Sequence, residues 1–142
     1  MAATGTTYPM FAKSLADKLV DLDSDTLKVM LLSAYTYADT HQFLSQVKAA
    51  GTESTDADYT AGGVALTGVT WTRTGAVYKL DANDVSWAST VDAVAAVIYD
   101  DTPATDATKP VIGYINLDGS GGTVAVPALT WNAGGILTAT AA

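Results

Sequence analysis

The sequence predicts a mainly β protein: an antiparallel β-sandwich or barrel of about seven to eight strands, with an N-terminal helix and one short inserted helix. Three observations predict it. β-Branched and aromatic residues fall in short runs separated by Gly, Asn and Asp turns, the pattern of strands joined by hairpins. Hydrophobic residues make up 49% of the 142 residues and charged residues 15%, so one domain has enough apolar side chain to bury a core. There is no Cys, so packing or assembly, rather than disulfides, must hold the fold.

Taken in order, residues 1–8 are small and polar and read as a flexible N-terminal arm, with residues 9–142 as a single β-rich domain. Pro9 suits the first turn of a helix, with Thr7 or Tyr8 at the cap. Phe11, Leu15, Leu19 and Leu22 then recur on one helical face, and the Asp-rich DLDSD (21–25) stops the helix. TLKVMLLSAYT (26–36) is apolar on both faces, which predicts a central strand. ADTHQFLSQVKAAG (38–51) reads as the inserted helix, capped by Asp39 or Thr40, with Phe43, Leu44 and Val47 inward and Gly51 as the stop. TESTDAD (52–58) reads as a polar loop.

After Gly62 and Gly63 the period becomes two. VALTGVTWTRT (64–74) places Val69, Trp71 and Arg73 on one face. AVYKLDANDVSWAS (76–89) turns at Asn83-Asp84, and TVDAVAAVIYD (90–100) and PVIGYINL (110–117) read as paired core strands. GTVAVPALTW (122–131) carries an internal proline that predicts a break, a bulge or an edge. GILTATA (135–141) follows a turn at Asn132 to Gly135.

Charge narrows the function classes. Fifteen acidic residues against seven basic ones give a net charge of −8. Nucleic-acid affinity comes mainly from cations that displace counterions, so the balance argues against a nucleic-acid partner. The N-terminus lacks a basic segment followed by an apolar stretch, so no secretory signal is expected. The longest apolar run, Ala93 to Tyr99, is too short to span a bilayer, and no membrane association is expected.

The chemical motifs are incomplete. His41 has no second His or Cys with which to bind zinc. As a base it would need a positioned partner, so it reads as a surface or hydrogen-bonding residue. No G-x-S-x-G elbow occurs, and the GSGG at 119–122 lacks the following Lys-Ser/Thr of a phosphate loop, so it reads as a hairpin turn. Asp21, Asp23 and Asp25 begin like a calcium loop, but Thr26 and Leu32 stand where Gly and a bidentate Glu are required. A helix-to-strand turn is the simpler reading, with a looser surface calcium site left open. Trp71, Trp87 and Trp131 read as core or subunit interface ahead of a sugar platform. No enzyme, metal or cofactor is expected.

The stretch YDDTPATDATKP (99–110) carries three aspartates between two core strands. Asp100 and Asp101 are adjacent, so in an extended chain they face opposite sides and do not form a catalytic pair. The stretch reads as a connecting loop, with Asp106 and Lys109 as candidate contacts to a neighbouring subunit.

Several segments together resemble a known family. YPMFAKSLADKLVDLDSDTLKVMLL (8–32), ADTHQF (38–43), YTAGGVALTG (59–68), KLDANDVSWAST (79–90), AVIYDDTP (96–103) and IGYINL (112–117) are similar to small virion structural proteins of tailed bacteriophages. The resemblance implies a capsid decoration, or head accessory, protein that binds the outside of the head and stabilises contacts between capsid subunits. A tail or fibre component that binds a host surface or glycan is the alternative. The implied partners are the major capsid protein and further copies of this chain, with a trimer favoured. The implied locations are the virion surface and, during assembly, the host cytoplasm. Tyr8, Pro9 and Met10, at the end of the arm, join Asp106 and Lys109 as candidate partner contacts.

Overall fold

The computed structural model describes residues 2–3, 5–117 and 124–140, with the backbone alone for 2–3, 124–127 and 139–140. The glycine-rich turn expected at 119–122 lies outside the described residues. In chain order the elements begin with β1 (Ala2–Ala3), β2 (Thr6–Thr7), α1 (Pro9–Ala16), β3 (Leu27–Tyr35) and α2 (Leu44–Ala50). They continue with β4 (Gly51–Glu53), β5 (Val64–Ala65), β6 (Thr70–Thr74), β7 (Val77–Asp81) and β8 (Val85–Ala93). The last four are β9 (Ala95–Asp100), β10 (Val111–Asn116), β11 (Val124–Trp131) and β12 (Leu137–Thr140). Eight of these twelve strands are longer than three residues, which is the expected number; the other four are short edge pairings.

The strands form open sheets in a sandwich-like arrangement, antiparallel except where β1 lies parallel to β11. The main sheet runs β2-β10-β9-β3-β4, and β5 shares the free side of β3 with β4. Its centre is dictated by composition. β9 is buried at every position and β3 at most of them, because both faces of each strand are covered. β9 and β10 pair antiparallel across the 101–110 connection, as their matched lengths predict.

Two three-stranded sheets, β1-β11-β8 and β12-β7-β6, complete the fold. The 85–100 run passes from one sheet to the next by bending at Val94. There the Val94 amide bonds to the Leu32 carbonyl, and the Val94 carbonyl accepts the Leu117 amide. Strands that change sheets at a bend make the corners of such sandwiches. Pro127 falls where the β11–β8 register shifts between Val126 and Ala128, so the internal proline marks a bulge. The 52–58 segment is not wholly a loop. Its first residues pair with β3, and beyond them the Asp56 carboxylate accepts the Asp92 amide while Asp58 accepts the Ser89 hydroxyl.

The structure corrects the reading of the N-terminal segment and of both helices. The 1–8 segment is not simply a free arm: β1 pairs with β11, β2 pairs with β10, and Tyr8 is completely buried. Helix α1 ends at Ala16, well before the Asp-rich turn. Lys18 takes a left-handed conformation (φ 59°), with the Leu19 amide bonded to the Ser14 carbonyl and the Lys18 amide to the Leu15 carbonyl. That hydrogen-bond pair is a Schellman stop, usually built on Gly. The buried face of α1 is therefore Phe11 and Ser14, while Leu15 and Leu19 are left exposed at 37% and 40%.

The inserted helix is also shorter than expected. α2 starts at Leu44, with Phe43 at its cap instead of Asp39 or Thr40, and the Gln46 side chain accepts the Gln42 and Phe43 amides at 2.8 and 3.0 Å. Leu44 and Val47 face inward as predicted, and Gly51 ends the helix in an extended conformation that leads straight into β4.

Candidate functional site

The loop between β9 and β10 is fastened down at most of its length. The Asp101 amide bonds to the Thr26 carbonyl, the Ser45 amide to the Asp106 carbonyl, and the Leu44 amide to the Lys109 carbonyl. Asp100 and Asp101 do face opposite sides. Asp100 is fully buried and its Oδ1 accepts the Thr102 amide at 2.8 Å. Burial pushes its carboxyl up to about 6, and the neighbouring Asp25 carboxylate adds to the rise. Asp101 turns outward between Lys109 and Lys28, at 2.5 and 2.9 Å. Burial opposes ionisation there, but the two ammonium groups win and hold Asp101 below the usual carboxylate range.

The candidate contacts Asp106 and Lys109 come together in this cluster. Asp106 pairs with Lys48 at 2.9 Å and approaches Lys109 at 4.0 Å. The Lys109 side chain is only 17% exposed and is committed to Asp101, so it braces the loop and offers little to a partner. Asp106 keeps 40% of its side chain exposed.

Of the N-terminal candidates, Tyr8 belongs to the core. Its hydroxyl is 2.6 Å from the Tyr35 hydroxyl, which in turn lies 2.8 Å from His41 Nδ1. His41 is buried in this chain of bonds, and burial lowers its pKa, favouring the neutral ring. Tyr37 stacks on both Tyr8 and Tyr114, with ring centroids 5.4 and 4.9 Å apart, and so belongs to an aromatic cluster with them. Pro9 is exposed and Met10 half-buried at the start of α1.

The tryptophans divide by environment. Trp131 is buried, and its indole donates to the Asn83 carbonyl at 2.9 Å. Trp71 is half-buried and stacks on Tyr78 with centroids 5.8 Å apart.

Trp71 also forms part of a feature that sequence reasoning missed. A groove of about 430 Å³ has Leu15, Val20, Leu22 and Trp71 as its apolar lining, with Lys18, Asp21 and Asp23 as its polar lining. It exists because the chain leaves α1 at Lys18, so Leu15 and Leu19 do not continue a buried helical face. The Asp-rich segment then forms a tight turn beside them. Asp21 Oδ1 accepts the Asp23 amide at 3.0 Å, and Asp25 Oδ2 accepts the Asp21 amide at 2.7 Å. These bonds make it the helix-to-strand turn that was expected. No sequence signal marks the groove, because a left-handed Lys at position 18 is not readable from sequence.

No family model, curated protein or solved structure matches the chain.

Proposed function

We propose that this chain is a structural protein of a tailed-bacteriophage virion, in its simplest form a capsid decoration protein that binds the outside of the head. In this role each copy bridges neighbouring subunits of the major capsid protein and adds buried contact area that internal DNA pressure must break. Self-association, with a trimer favoured, would multiply those contacts at a symmetry axis. The protein would be made in the host cytoplasm and end on the virion surface.

The observation that supports this reading best is the contrast between a braced body and the open groove beside α1. The acidic loop and the buried tyrosine chain spend most of their polar groups inside the fold. The groove beside α1, by contrast, leaves large apolar side chains open to a neighbour. The net charge of −8 is compatible with a crowded outer surface, since like charge keeps particles apart. The family resemblance supplies the virion setting.

Copy number separates this role from a tail or fibre component. Quantitative mass spectrometry of purified particles is expected to give copies on the order of the capsid subunits. A handful per particle would assign the chain to the tail instead.

A further inference from the structure

We infer that the groove beside α1 is the docking site for a basic, apolar-anchored segment of a different protein. The inference rests on the proposed virion role only for where that protein is found. The apolar floor of Leu15, Val20, Leu22 and Trp71 fits one or two large apolar side chains. Asp21 and Asp23 at its rim fit Lys or Arg beside those anchors, and Asp23 takes part in no ion pair among the described residues.

Charge complementarity selects the occupant. A second copy of this chain is a poor fit, because five of its seven cations are already paired internally. Lys13 pairs with Asp17, Lys28 and Lys109 with Asp101, Lys48 with Asp106, and Lys79 with Asp81. Lys18 and Arg73 remain, and Lys18 lines the groove itself. The net charge of −8 draws a basic partner toward this rim.

The test uses the full chain, a lysine-rich amphipathic peptide and a control peptide with glutamate in place of each lysine. The basic peptide is expected to shift the amide resonances of Leu15, Val20 and Leu22 and the indole resonance of Trp71, more weakly as salt rises; the acidic peptide is expected to shift none. Leu15→Ser and Asp23→Lys alter exposed positions and should keep the native circular dichroism. Each should lower peptide affinity about tenfold or more if the groove is the site. Equal binding by both peptides, shifts elsewhere on the molecule, or variants that bind like the native chain would overturn the inference. So would a dimer in sedimentation that Leu15→Ser dissolves, because the occupant would then be a second copy.

A parallel arm adds the native chain and both variants to purified heads lacking this protein. Heads that take up native chain and variants alike would contradict the groove while leaving decoration intact. Heads that take up none, with groove-specific peptide binding preserved, would contradict decoration while leaving the groove assignment intact.

Discussion

Asp100 is the residue with the clearest energetic signature. Its folded carboxyl titrates near 6, above the ordinary carboxylate value, because burial and Asp25 both disfavour its charge. The folded state therefore favours the protonated form. The resulting stability is fully present below the unfolded pKa and is lost as pH rises through about 6. Asp100→Asn keeps an oxygen for the Thr102 amide and removes the charge. Urea unfolding is expected to show the variant more stable than the native chain by roughly 1–2 kcal/mol at about pH 8, with the gain vanishing near pH 4. Backbone geometry supplies a second prediction at this scale. A Cβ on Gly63, at φ +83°, would fall inside the Val29 carbonyl, whereas one on Gly75, at φ +61°, meets open space. Gly63→Ala is expected to cost more than about 3 kcal/mol in thermal or chemical unfolding, and Gly75→Asn less than about 1 kcal/mol.

At the scale of elements, the N-terminal strands and Tyr8 tie the first residues into the fold. Tyr8→Ala is expected to lower stability by about 3–5 kcal/mol, and Tyr8→Phe by about 1 kcal/mol through loss of the bond to Tyr35. Truncation of residues 2–8 should therefore destabilise the domain at least as much as Tyr8→Ala, measured by denaturant midpoint. The central strands were legible in the sequence because β3 and β9 are apolar on both faces, a signal that does not depend on distant contacts. The N-terminal pairings were not, since two-residue strands such as Thr6–Thr7 carry no periodicity. The end of α1 was also hidden. Leu15 and Leu19 continue the helical spacing on paper, but a single left-handed residue at Lys18 redirects the chain. Lys18→Gly should relieve that strain and stabilise the fold by about 0.5–1 kcal/mol in the same measurement.

For the whole molecule, the mainly β, sandwich-like class and the β9–β10 pair followed from the apolar runs and turns, while the order of strands in the three sheets did not. Of the break, bulge or edge that Pro127 allowed, the structure has the bulge. The groove did not follow, because it is made jointly by α1, the turn after it and Trp71 on β6. Sequence separation hides such a combination until the sheets bring the pieces together. The 99–110 stretch shows the converse. Its acidic residues looked available, yet most of their charge is used to hold the loop against α2 and the start of β3. The proposed role places this molecule on the outside of a phage head, and an electron-microscopy reconstruction of the particle tests that placement. Density matching this fold is expected to repeat over the head surface, seated across junctions between capsid subunits. Density confined to the tail, or a head surface with no place for this fold, would contradict it.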